Sequence, residues 1–121
     1  MSKPSALNLC EFTKQLIEAR LWEERNLPRS QSRIAFDLMV FIAHCHYSKT
    51  PLTLKLLFNS LTHSERGIRY VLDQFLDNEW CIYRTAFHDK RFRHIYPTDK
   101  FIDAFENYYH LHVASSNRVN A

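Results

Sequence analysis

Ile68, Val71, Leu72, Phe75 and Leu76 recur at steps of three and four residues, the spacing that places apolar side chains along one side of an α-helix. Thr62 is followed three residues later by Glu65. That pair has the form of a capping box, in which hydroxyl and carboxylate each satisfy a backbone N–H of the first turn. The pattern therefore predicts a helix from about His63. At about 100° per residue, His63, Arg66 and Tyr70 fall opposite the apolar stripe and Arg69 falls on its flank. Asp73 and Asp77 share the polar side further along, so a polyanion would meet only the first two turns. After Trp80 the period changes. Residues 81–87 are rich in β-formers and residues 92–96 roughly alternate apolar with polar, which predicts two strands joined by a turn at 88–91.

The remaining segments read as helices around this unit. Leu9, Phe12, Leu16, Ile17, Ala19 and Leu21 recur at helical spacing over residues 6–26, and Pro28 ends the run because the residue before a proline is driven out of the helical region. Trp22 is an anchor either for this chain's core or for an interface. Ser30 or Ser32 caps a second helix running to about Tyr47, apolar on most sides and so expected at the centre of the core. A turn at 48–51 leads to a short helix capped by Thr53, ending near Ser60. Thr98 caps a last helix, expected over 98–113, whose Phe101, Ile102, Phe105, Tyr108, Tyr109 and His112 form a wide aromatic side. Residues 114–121 are expected to fray.

Composition narrows the function classes. A chain of 121 residues with 45% apolar and 24% charged side chains is expected to form one domain, 1–121. No run approaches the roughly twenty apolar residues of a membrane span, and the start of the sequence has no secretory apolar region. A cytoplasmic location without membrane attachment is expected. The three cysteines are odd in number and widely spaced, which fits reduced thiols. His44 and His46, like His110 and His112, are two apart and would point about 200° apart on a helix, so no metal or other cofactor is expected. The single glycine argues against phosphate-cradling loops and nucleophile elbows. No paired carboxylates or nucleophile–base set stands out, so no enzymatic activity is expected. Net charge is only +3, but residues 81–98 alone carry Arg84, Lys90, Arg91 and Arg93 against Asp89, a local +3. Positive charge is thus concentrated beside the predicted helix, as a nucleic-acid footprint would have it.

The order of elements resembles the MarR (multiple-antibiotic-resistance regulator) family of winged helix-turn-helix proteins. The match lies in the sequence 52–57 for the helix before the turn, 64–76 for the recognition helix, Arg84 on the first wing strand, Asp89-Lys90-Arg91 on the family's Asp-Arg-Arg wing signature, and Pro97-Thr98-Asp99 at the entry to the last helix. It covers residues 34–110. Two positions depart from the pattern: Glu79 stands where a glycine usually closes the recognition helix, and the wing tip has no glycine. The resemblance implies a mainly α fold with a small β-hairpin wing, its winged helix-turn-helix core spanning 30–98, and N- and C-terminal helices that build a homodimer. It implies double-stranded DNA as partner, with Asp89 positioning Arg91 and Arg91 reaching phosphate or the minor groove. It also brings in a small-molecule effector held between the dimer helices and the DNA-binding lobe, where Trp22, Phe36 and Tyr108 are candidate lining residues and equally candidate core.

The expected function is transcriptional regulation by sequence-specific duplex binding. His63, Arg66, Arg69 and Tyr70 are the candidate base readers, and Arg84, Lys90, Arg91 and Arg93 the candidate backbone contacts. The rival reading is a winged helix used only for protein–protein interaction, to which the acidic residues on the polar face and the aromatic surplus of the last helix lend support.

Overall fold

Among the described residues there are five helices, and a hydroxyl side chain starts each one. The oxygens of Ser5, Ser32, Thr53, Ser64 and Thr98 accept from the backbone N–H three residues on, at 3.1, 3.3, 3.1, 3.1 and 3.3 Å respectively. Each satisfies a donor that the first turn leaves unpaired. The computed structural model describes the backbone of residues 3–28, 32–86 and 89–120, and the side chains of all these except 86, 89–92 and 114–120. In order the elements are α1 (Ala6–Asn26), α2 (Arg33–Tyr47), α3 (Leu54–Ser60), α4 (Glu65–Asp77), β1 (Cys81–Ala86), β2 (Asp89–Pro97) and α5 (Asp99–Asn120).

Three boundaries differ from expectation. α4 begins at Glu65 rather than at about His63, because Ser64 and not Thr62 takes the capping position. The second strand resumes at Asp89, so Asp89, Lys90 and Arg91 lie within β2 and not in the turn. The tip residues Phe87 and His88 lie outside the described residues. α5 continues to Asn120, past the predicted end at 113, since a helix once nucleated adds one backbone hydrogen bond per further residue.

Two helices end in a left-handed residue that is not glycine. After α4, Glu79 takes φ 62°, its N–H bonds the Leu76 carbonyl at 3.1 Å, and the Trp80 N–H bonds the Phe75 carbonyl at 2.8 Å. This is the Schellman arrangement that a glycine normally closes. Lys49, at φ 59°, ends α2 in the same way. The side chain at position 79 thus occupies a conformation that costs an L-residue about 1 kcal/mol. Glu79→Gly is expected to stabilise the fold by about that amount, somewhat offset by the greater freedom of glycine in the unfolded chain. An upward shift of the urea midpoint at unchanged slope would register it.

The core is assembled where α2 and α4 cross the hairpin. Ala35, Leu38, Met39 and Ile42 of α2, Leu57 of α3, Ile68, Val71, Leu72 and Phe75 of α4, Cys81 and Ile95 of the strands, and Phe101 of α5 are all buried. Burial pushes the Cys81 thiol up to about 12, because a thiolate there would have no water around it. β1 and β2 pair antiparallel from Cys81 opposite Pro97 to Thr85 opposite Arg93, after which the register breaks and Ala86 pairs with Asp89. The other edge of β2 is occupied too. The Ile95 N–H donates to the Leu52 carbonyl at 2.9 Å, and Thr53 bridges His94. Sequence pattern did not indicate this contact, since two extended residues are too few to show a period.

α5 is locked to the end of α4. The Thr98 hydroxyl donates to the Glu79 carbonyl at 2.7 Å. The Lys100 ammonium donates to the Asn78 carbonyl at 2.9 Å while lying 4.1 Å from the centre of the Trp80 ring. A cation there complements the negative end of α4. α1 behaves differently. Its C-terminal end packs on α5 through Trp22, whose ring stacks on Tyr108 at 5.8 Å between centroids. Along its length, however, Leu7, Leu9, Phe12, Leu16, Ile17 and Leu21 are exposed. The expected apolar side exists, and in this chain it covers no core.

Candidate nucleic-acid interface

The buried stripe of α4 dictates what the helix shows to solvent. With Ile68, Val71, Leu72 and Phe75 buried, the residues left outside are Glu65, Arg66, Arg69, Tyr70, Asp73 and Asp77. Tyr70 is 63% exposed, an unusual position for a large aromatic side chain that has no packing role. The Arg69 guanidinium stands 4.8 Å from the centre of the Phe58 ring, so it spans the junction between α3 and α4. Such an arrangement orients the fork and limits its freedom without neutralising its charge.

His63 is placed differently from the other candidate readers. It precedes α4, and its Nε2 lies 2.7 Å from Oδ2 of Asp37 on α2. Its side chain is only 18% exposed. The ring is thus turned toward the body, away from the side shared by Arg66 and Tyr70.

On the wing, strand pleat separates the basic residues. Arg84 faces the same side as His94, its partner across the ladder, whereas Arg93 pairs with Thr85 and faces the other. Arg84 lies over the Tyr96 ring at 5.5 Å, on the outward side with Ile82. Arg93 lies over the Tyr83 ring at 5.7 Å, on the side that carries Cys81 and Ile95 into the core. Burial pushes the Tyr83 phenol up, Asp73 adds to this, and Arg69 and Arg93 pull the other way. Helix and wing charges therefore meet around this one ring. The side chains of Lys90 and Arg91 lie outside the described residues. Among the described residues no arginine is held in an ion pair within 4.0 Å; that distance is met only by His63 and Asp37. Among the described residues no carboxylate therefore neutralises Arg66, Arg69, Arg84 or Arg93, and two of the three aromatic supports, Tyr83 and Tyr96, come from the strands themselves.

No protein-family model and no curated protein matches the sequence. The likeness is in the structure. The chain superposes on S. aureus MepR in complex with DNA with a TM-score of 0.75 at 12% identity, covering 93% of this chain and 86% of that one. The fold is the MarR-type winged helix. A transcriptional regulator from Thermotoga maritima matches with a TM-score of 0.64 at 11% identity, over 95% of this chain and 79% of that one. A putative MarR family regulator from Listeria monocytogenes complexed with a 26mer DNA matches with a TM-score of 0.57 at 13% identity, over 95% and 73%. In winged-helix terms α3 and α4 form the helix-turn-helix and β1 with β2 the wing. Sequence reasoning had missed the aromatic supports under the arginines. The alternation of Tyr83, Arg84 and Arg93, Tyr96 across two paired strands is the signal that carries them.

Proposed function

We propose that the protein is a homodimeric transcriptional regulator that binds double-stranded DNA, acts without catalysis and works in the cytoplasm. The observation that carries this is the exposure of Arg66, Arg69 and Tyr70 on the outward side of a helix whose opposite side is fully locked into the core. A rigid helix with unneutralised donors suits major-groove reading, where Arg pairs bidentately with guanine. Arg84, Lys90, Arg91 and Arg93 of the wing dock on phosphates, with Asp89 orienting Arg91 as the family resemblance implies. The two regulators solved with DNA in the same fold support the partner. Among the described residues no helix is long and apolar enough to cross a membrane.

Selection of bound sequences from a random duplex pool, followed by titration at several salt concentrations, tests the proposal. Arg91→Ala is expected to weaken binding to all sequences and to lower the slope of log K against log salt by about 1. Arg66→Ala is expected to keep the slope nearly unchanged and to cost about 1–3 kcal/mol of discrimination at one base pair. Failure of the parent protein to bind any duplex at low salt would instead favour a protein-interaction module, a reading supported by Asp73 and Asp77 on the outward side of α4.

Regulation by a small molecule would draw on a crevice between two helices. A crevice of about 590 Å³ between α1 and α5 is lined by Leu16, Arg20, Glu23, Tyr108 and His112 among others. Glu23 is buried, and its Oε1 accepts from the Tyr108 hydroxyl at 2.6 Å. Burial raises the Tyr108 phenol, and the hydrogen bond to Glu23 raises it further, so it remains a donor throughout the neutral range. An effector wedged here bears directly on how α1 and α5 are held, and through α5 on the lock at Thr98.

A further inference from the structure

Resting on the duplex-binding reading above, we infer that His63 is a positioning residue, which by gripping Asp37 sets how the start of α4 is presented to DNA. Nε2 and Oδ2 are 2.7 Å apart although the residues are 26 positions apart in sequence. Among the described residues this is the single side-chain hydrogen bond between α2 and the segment that starts α4. A second contact lies close by. A Cβ at Gly67 would stand 2.9 Å from Ile34 Cδ1, the end of that side chain, so α4 lies close against α2 here as well. Ile34 and Asp37 are one turn apart on α2, and Gly67 and His63 are one turn apart on the opposing segment. The segment that starts α4 thus meets α2 at two neighbouring points, and only the His63–Asp37 contact is a directional bond. The far end is held independently by Trp80, Thr98 and Lys100.

The pairing also argues against direct contact by His63. A phosphate approaching its ring would meet the Asp37 carboxylate, which is 37% exposed and of like charge. The other charged groups on the surrounding elements are Arg33 on α2, Lys55 on α3, and Glu65, Arg66, Arg69, Asp73 and Asp77 on α4. None of them makes an ion pair with either partner within 4.0 Å, so loss of one partner leaves the other without a replacement in place.

The test compares variants on a selected duplex. His63→Phe and Asp37→Ala are each expected to weaken binding about tenfold, to leave the salt slope unchanged, and to be no worse together than singly. His63→Gln, whose amide N–H reaches toward Asp37, is expected to restore most of the affinity. In the free protein, amides 66–68 are expected to exchange about tenfold faster in His63→Phe. Should that variant not fold, Asp37→Asn carries the same comparison. The inference is overturned if Asp37→Ala binds as well as or better than the parent while His63→Phe loses about one unit of salt slope, the signature of a phosphate contact. Unchanged exchange at 66–68 overturns it equally. A parent protein that binds no duplex defeats the regulator reading instead, and exchange alone then decides whether the latch exists.

Discussion

Leu16→Glu is expected to yield a folded protein that sediments as a monomer and binds duplex at least a hundredfold more weakly than the parent, on the order of what avidity contributes when two linked sites act together. Leu16 is 53% exposed in the middle of the α1 apolar side, flanked by Phe12 at 53% and Ile17 at 61%. A carboxylate at this place costs the monomer little, since the side chain buries no core. Against a second copy of the chain it would cost a great deal. Fully burying each leucine, isoleucine or phenylalanine is worth about 1.5–3 kcal/mol, and six such residues lie along α1, whereas an unpaired charge in their midst must be desolvated. Tyr109, 60% exposed, and Val113, 37% exposed, extend the apolar surface on α5. A two-fold axis through these helices would set the two copies of α4 about one helical turn of DNA apart, the condition for reading a palindrome. Each monomer of the variant would then bind a half-site alone. Analytical ultracentrifugation over a dilution series and titration on whole and half operators measure both parts. A variant that stays dimeric would remove α1 from the interface.

What sequence made legible, and what it did not, divides along physical lines. The stripe from Ile68 to Leu76 was readable because burial imposes a period, and four of its five residues are indeed fully buried. The hydroxyl caps at Ser32, Thr53 and Thr98 were readable because a cap is a local signal. The start of α4 was not, because Thr62 and Ser64 are both competent caps. Between them stands His63, bonded to Asp37 26 residues away, a contact that no local pattern shows. The wing turn was misplaced since no glycine marks its tip, and the break in register after Thr85 leaves no trace in alternation. The apolar pattern of α1 was seen correctly, but a pattern states only that a surface wants covering and not which molecule covers it. At position 79 the absent glycine proved no obstacle, as glutamate adopts the left-handed conformation itself. Among the candidate contacts, Arg66 and Tyr70 stand where periodicity put them, Arg69 is drawn onto Phe58, and Arg84 and Arg93 face opposite sides of the ribbon. That last point needs the strand register, which pairing across the turn alone supplies.

Phe75→Ala should have the largest effect on stability, lowering the unfolding free energy by about 3–5 kcal/mol. Phe75 is 1% exposed and, with Phe101, is the largest of the fully buried side chains. It sits on the inner side of α4, and its carbonyl accepts the bond that closes the helix at Trp80. Removing the ring leaves a cavity within the buried core, which close packing does not easily refill. Against a total stability of about 5–15 kcal/mol for a domain, this is a large fraction, and the melting temperature is expected to fall by more than about 10 °C. The consequence for function separates two roles of one helix. Below its new melting point the variant still presents Arg66 and Tyr70, so its base preference is expected to match the parent while its melting temperature does not. Arg66→Ala should do the reverse, shifting preference with little change in melting. If Phe75→Ala altered base preference at a temperature where circular dichroism shows it folded, the outward and inward sides of α4 would not be independent, and readout would depend on packing as well as on donors.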